Sequence, residues 1–375
     1  MTISSFKPPR RTLMGPGPSD VSQRVSEAMA RPTIGHLDPY FIGMMDEIKS
    51  LLQYAFQTDN ELTFAVSAPG SAGMECCFAN LVEPGDTVIV CQNGVFGSRM
   101  KENVERFGGV AIMVQDDWGR AVDESKLEAA LEANPEAVLV AFVHAETSTG
   151  VQSDAEKLVR LAHDHNCLTI VDAVTSLVGT PIYVDKWGID AIYSGSQKCL
   201  SAPPGLSPVS FNDRAAEKIR QRKSRVKSWF LDLNLIMGYW GENVKRAYHH
   251  TAPVNSLYAL HEALVVVQEE GLENCWIRHK KNHLRLKEGL SSLGITFIVD
   301  EQHRLPQLNA VSIPNGVSDS LVRGRLLNQY NLEIGAGLGQ LAGKVWRIGL
   351  MGHASSAKNV DYCINALASV LKKAA

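Results

Sequence analysis

Short apolar runs rich in β-branched and aromatic residues recur up to about residue 211, and segments with helical spacing lie between them. The runs are LTFAVS (62–67), TVIVC (87–91), VAIMVQ (110–115), AVLVAFVH (137–144), LTIVDAV (168–174), IDAIYS (189–194) and LSPVSF (206–211). Their length and near-continuous apolarity predict strands buried on both faces. SAGMECCFANLV, a stretch over roughly 98–107, a segment ending near Ala133, and EKLVRLAHDHN read as helices. Seven strands alternating with helices predict an α/β fold on a mainly parallel seven-stranded sheet. Strand carboxyl ends, and with them a ligand, then lie along one edge.

From about residue 256 the texture changes. One long helical stretch, SLYALHEALVVVQEEGLENCWIRHKKNHLRLKEGLSSLG, leads into ITFIVD, NAVSIP, NLEIG and VWRIG, and a last helix starts near Lys358. A chain of 375 residues is long for a single core. The expected division is an N-terminal arm over 1–20, a large domain over 21–255 and a smaller C-terminal α/β domain over 256–375, packed with the arm.

Composition narrows the function without naming it. Apolar residues are 45% and charged residues 21%, with 37 basic against 40 acidic side chains, as in a soluble globular protein. Nothing in that balance calls for nucleic acid or a membrane, and no run approaches the roughly 20 apolar residues of a membrane span. The basic stretch RAAEKIRQRKSRVK (214–227) lacks aromatic partners and reads as a solvated helix face. MTISSFKPPRR carries no apolar leader and LKKAA is no peroxisomal tail, so the expected compartment is the cytoplasm. Seven cysteines without a CxxC pair predict reduced core thiols and no zinc site. Cys199 stands out only because Lys198 precedes it.

Several familiar signatures fail. GAGLGQ (335–340) lacks the third glycine of the dinucleotide fingerprint, and GLGQLAGK lacks P-loop spacing. His261 and Glu262 have no second histidine at zincin spacing, and no GxSxG elbow occurs. The remaining candidates end strands. Asp172 closes LTIVD, either as a capping carboxylate or as the group that keeps a ring nitrogen protonated. Lys198 lies in the turn of YSGSQKCLSAPPG, either exposed or desolvated as a Schiff-base nucleophile. Together, an acid and a lysine at neighbouring strand ends are the pair that pyridoxal phosphate requires.

Other junctions fit the same edge. APGSAGME opens a helix with Gly70 and Ser71, which makes it either a phosphate cradle or an ordinary capped turn. Phe96 follows TVIVC and could stack on a ring or pack in the core. Thr147 in HAETSTG could reach a ring oxygen. Arg347, inside VWRIG, needs an anion, supplied by a substrate carboxylate or an internal ion pair.

At these residues the sequence resembles the fold-type I, class V pyridoxal-phosphate aminotransferases, and within them the alanine–glyoxylate and serine–pyruvate enzymes. GPGPSD, MDEIKSLLQYAFQT, HAETSTGV, VDAVTSL, YSGSQKCLSAPPG, YHHTAP and KVWRIGLMG carry the likeness, in order along nearly the whole chain. The resemblance implies that Lys198 is the Schiff-base lysine and that Asp172 pairs with the pyridinium nitrogen. It implies that Phe96 stacks on the ring, that Gly70, Ser71 and Gln197 hold the phosphate, and that Thr147 touches the ring oxygen. In YHHTAP it implies that Tyr248 and Thr251 reach the phosphate of a neighbouring subunit, so the unit is a homodimer with shared active sites. Arg347 would bind the substrate carboxylate. His36, in IGHLDP, would line the substrate mouth or serve the structure. The sequence departs from the animal enzymes at Phe96, where they carry Trp, and at Pro69-Gly70-Ser71, where they carry Ser-Gly-His.

The implied activity is ping-pong transfer of an amino group from alanine, with serine as another donor, to glyoxylate. Serine–glyoxylate and ureidoglycine–glyoxylate transaminases are the near alternatives. The ureidoglycine branch carries Gln at the position of His36. A class V lyase such as a cysteine desulfurase would need a cysteine in a mobile loop. A nucleotide-binding dehydrogenase lacks its glycines here, and a non-catalytic binding module would not need the Lys–Asp–Arg set.

Overall fold

The computed structural model describes residues 3–241 and 247–372. Its strands are β1 (Thr12–Leu13), β2 (Leu62–Val66), β3 (Thr87–Gln92), β4 (Val110–Gln115), β5 (Ala137–Val143), β6 (Ala145–Glu146), β7 (Val151–Gln152), β8 (Leu168–Asp172), β9 (Ala191–Tyr193), β10 (Ser207–Phe211), β11 (Leu308–Ser312), β12 (Leu332–Glu333), β13 (Gly335–Ala336) and β14 (Val345–Gly349). Its helices are α1 (Gln23–Met29), α2 (Pro39–Phe56), α3 (Gly70–Leu81), α4 (Val95–Phe107), α5 (Glu124–Ala133), α6 (Ala155–Asp164), α7 (Val184–Trp187), α8 (Asp213–Arg220), α9 (Leu233–Trp240), α10 (Val254–Glu270), α11 (Leu272–Ser292), α12 (Asp319–Tyr330) and α13 (Ala357–Lys372).

The large sheet has seven strands in the order β2-β10-β9-β8-β5-β3-β4. They are the seven apolar runs of the sequence. All pairings are parallel except those of β10, which runs antiparallel to both β2 and β9. Every residue of β8 and all but one of β5 are buried, as a sheet covered on both faces requires. Helices begin where the sequence supplies caps. Asp123 accepts from Ser125 N–H at the start of α5, and Asp154 from Lys157 N–H at the start of α6.

The C-terminal part departs from expectation in two places. The single long helix is two, α10 and α11, separated by Gly271 at φ +82°. A left-handed backbone cannot continue the α-helical ladder, although the apolar spacing runs through it. ITFIVD forms no regular strand and contributes one bridge, Phe297 to Val311. The three-stranded sheet there is β11-β14-β13. The N-terminal arm returns as β1, parallel to β12, and Met14 joins an apolar cluster with Leu286, Val322, Trp346, Ile348 and Leu367. Among the described residues no helix is long and apolar enough to cross a membrane, and no cluster of three or more acidic, His or Cys side chains could hold a metal. All seven cysteines are unpaired and buried.

Candidate active site

The strand order of the large sheet reverses beside β3: β4 lies on its outer side, while β5, β8, β9 and β10 follow on the other. Open α/β sheets form their ligand crevice at the carboxyl ends beside such a reversal. Phe96 follows β3, Thr147 follows β5, Asp172 ends β8, and Lys198 follows β9 in the next turn. The fold therefore gathers residues far apart in sequence on one edge.

Asp172 is buried, with Oδ1 accepting from Val174 N–H at 2.8 Å and Oδ2 from the Tyr193 hydroxyl at 2.8 Å. Burial pushes its carboxyl up to about 6, against the pull of these two donors and of the Lys198 and Arg99 charges. Lys198 is half-buried, and its Nζ donates to the Pro16 carbonyl. Burial, aided by the Arg347 charge, lowers its ammonium to about 8. Gly17 makes room for it: at φ +108°, a Cβ there would lie 2.5 Å from Lys198 Nζ.

Arg347 is buried without a carboxylate partner among the described residues. Its Nε donates to the Ala336 carbonyl at 2.7 Å and Nη1 to the Thr147 carbonyl at 3.2 Å, and Nη2 has no partner there. The internal ion pair, one of the two readings of this residue, does not form among the described residues. Desolvation lowers its guanidinium to about 10, and Glu146 is the charge that opposes this.

Helix α3 begins at Gly70 without a side-chain cap, and the Gly70 and Ser71 N–H groups have no partner among the described residues. A Cβ at Gly70 would lie 3.3 Å from Val174 Cγ2 and 3.4 Å from the Ser194 carbonyl oxygen, so the helix start sits close above the ends of β8 and β9. Ser71 is exposed. Gln197 Oε1 is buried and has no partner among the described residues. Phe96, the second residue of α4, donates its N–H to Glu146 Oε2 at 3.2 Å, and Arg99 lies 4.7 Å from its ring centroid. The Thr147 and Thr175 hydroxyls bond to each other.

The YHHTAP segment and His36 form a neighbouring group. The His36 ring lies 5.4 Å from that of Tyr248 and 6.4 Å from that of Tyr239, and its Nε2 is buried with no partner among the described residues. Tyr248 and Thr251 are both exposed, their hydroxyls 3.4 Å apart. His250 Nε2 lies 2.7 Å from Ser67 Oγ, just ahead of the Gly70 turn. Cys199 points elsewhere: its thiol faces the Thr175 carbonyl, and burial pushes it up to about 12, so it is no thiolate.

Three residues that sequence reasoning passed over belong to this edge. Glu146 is fully buried, accepts from Ser148 N–H and Oγ, and is pushed by burial up to about 7. Its signal was the one used for Asp172, a carboxylate at the end of an apolar run. Tyr193 lies inside IDAIYS and has no distinguishing pattern. Pro16 reaches Lys198 only through the return of the arm.

Known proteins align with this arrangement. Residues 19–362 match the profile of the family described as Aminotransferase class-V. The chain is 42% identical to alanine–glyoxylate aminotransferase of Rattus norvegicus over 366 residues, 97% of this chain and 88% of that protein. The crystal structure of alanine–glyoxylate aminotransferase from Nostoc sp. superposes with a TM-score of 0.97 at 47% identity, over 99% of this chain and 98% of that one. That of ureidoglycine–glyoxylate aminotransferase from Bacillus subtilis gives 0.96 at 36% identity, over 99% and 95%. Fold, profile and relatives agree with the resemblance carried by the motifs, and the chain belongs to the class V aminotransferases.

Proposed function

We propose that this protein is a pyridoxal-phosphate-dependent aminotransferase that moves the amino group of alanine, with serine as a further donor, to glyoxylate. The observation that carries the reading is the pairing of Lys198, its ammonium lowered to about 8, with buried Asp172 on adjacent strand ends. The names of the rat and Nostoc relatives support alanine and glyoxylate as the substrates.

The residues present fit an anionic ring. The Gly70 and Ser71 amides and Gln197 Oε1, which have no partner among the described residues, mark places where a phosphate could be held. Gln197 can present its NH₂ instead of its oxygen by an amide flip. When bound, the cofactor supplies an aldehyde for amines and an electron sink for charge at the substrate Cα. Lys198 would attach it and, once displaced by the donor, move the proton from Cα. A lysine near 8 offers much more neutral amine at neutral pH than an ordinary one. Asp172 would hold the proton on the ring nitrogen. Phe96 would lie against the ring, and the Thr147 hydroxyl would reach its oxygen substituent.

Arg347 would take the substrate carboxylate with Nη2, which has no partner among the described residues. His36 would line the mouth of the site. Exposed Tyr248 and Thr251 suit contact with the phosphate of a second copy, which makes the working unit a homodimer. The Bacillus relative makes ureidoglycine the rival donor.

The test is a half-reaction panel. Alanine, serine and ureidoglycine are each added to the loaded protein and loss of its visible cofactor band is followed, and glyoxylate should then restore the band. Borohydride should fix the cofactor to the peptide containing Lys198. Full turnover by Lys198→Ala, or no binding of the cofactor, overturns the reading.

A further inference from the structure

Tyr193 and Asp172 are register partners on neighbouring parallel strands, so their side chains leave the sheet on the same face. Both are closed off from solvent, at 0% and 2% exposure. The phenol donates to Asp172 Oδ2 at 2.8 Å while Val174 N–H holds Oδ1. Among the described residues each carboxylate oxygen therefore has one donor, with an acceptor site left for a ligand. The base of the Tyr193 side chain packs under α3, where a Cβ at Gly73 would lie 3.2 Å from Tyr193 Cβ. Its hydroxyl is pushed well above the usual phenol range by burial and by the Asp172 charge, so it keeps its proton and remains a donor. Of the other charged neighbours, Lys198 and Arg99 favour the anion of Asp172, while Glu146 and Asp172 oppose one another.

We propose that Tyr193 is a positioning residue whose hydroxyl holds Asp172 as an anion turned toward the ring nitrogen of the cofactor. This rests on the reading of Asp172 given above. A buried carboxylate that loses one of two donors binds its own proton more tightly and can no longer stabilise a protonated ring.

The experiment compares two cofactors by fluorescence titration of the apoprotein: pyridoxal phosphate, and its analogue with carbon in place of the ring nitrogen. The wild type should prefer pyridoxal phosphate. Tyr193→Phe should weaken pyridoxal phosphate binding about tenfold and leave the analogue unchanged, since the lost phenol bond reaches the cofactor only through the Asp172 anion, which meets a charged partner only where the ring nitrogen is present. An equal loss for both cofactors assigns Tyr193 a merely structural role and overturns the proposal, as does no loss at all. Fluorotyrosine at 193, isosteric and a stronger donor, should move the affinity ratio the other way even if the phenylalanine variant folds poorly, and an unmoved ratio overturns the proposal. A wild type that binds both cofactors equally overturns the reading of Asp172 itself, and this inference with it.

Discussion

The Pro16 carbonyl accepts a hydrogen bond from Lys198 Nζ, and Gly17 lies against the end of the same side chain. A segment near the chain start thus closes over a lysine delivered by the turn after β9.

Gly17→Ala should disturb that closure directly. The added methyl would lie 2.5 Å from Lys198 Nζ, at a backbone φ of +108° that alanine avoids. The amine can swing aside, so the expected result is a weaker visible cofactor band and slower turnover. An unfolding cost of about 1–3 kcal/mol accompanies them. Absorbance and thermal denaturation measure both effects, and wild-type values for band and rate would refute the contact.

Arg347→Ala should raise KM for amino and keto acids alike. Loss of a charge-assisted contact costs about 1.5–3 kcal/mol, roughly ten- to a hundredfold. Lysine at 347 should rescue little, because it lacks the fork that bonds two carbonyls and still offers Nη2. An unchanged KM for both substrates in steady-state kinetics would place the carboxylate elsewhere.

The buried titrating groups set the pH dependence of the apoprotein. Burial raises Glu146 from 4.5 to about 7, so between these values the folded chain holds a proton that the unfolded chain has released. Stability from this group is full below 4.5 and is lost as pH rises toward 7, on the order of 3 kcal/mol in all. Lys198 works oppositely: between about 8 and 10.5 the unfolded chain binds the extra proton, and stability rises with pH. Chemical denaturation across pH should show Glu146→Gln flattening the acid-side slope and Lys198→Met the alkaline rise. Slopes identical to wild type would contradict the burial of these charges.

Gly271→Ala should destabilise the protein without touching the site. At φ +82° and ψ 139° the residue joins α10 to α11 in a conformation that only glycine adopts readily. The expected loss is about 1–3 kcal/mol in denaturant unfolding, with kcat unchanged. A neutral result would mean that the two helices can fuse.

The sheet was legible because buried parallel strands are near-continuous apolar runs, and no helix segment between them had the same texture. The α10–α11 break was not, since helical spacing persists on both sides of Gly271 and a lone glycine inside such a pattern is ordinarily tolerated. ITFIVD has a strand's composition, yet only Phe297 finds a partner. Among the candidate site residues, Asp172 announced itself as a charge ending an apolar run and Lys198 as a lone charge in the Gly/Ser turn after one. Tyr193 reads as core until the register of β8 and β9 sets its hydroxyl against a carboxylate. Arg347 showed its need for an anion, but its carbonyl partners come from the paired strand β13 and from Thr147, a segment that only the folded chain brings near.

Because β10 runs backward between β9 and β2, the edge strand Leu62–Val66 has no other neighbour in the sheet. On the ribosome that segment must wait for roughly 140 further residues, about 7 to 28 seconds at ordinary synthesis rates, before its ladder can form. Throughout that interval an apolar strand stands unpaired in the nascent chain. Expression yield should therefore depend on chaperone supply and growth temperature, and substitutions that weaken β10 should show first as aggregation during synthesis.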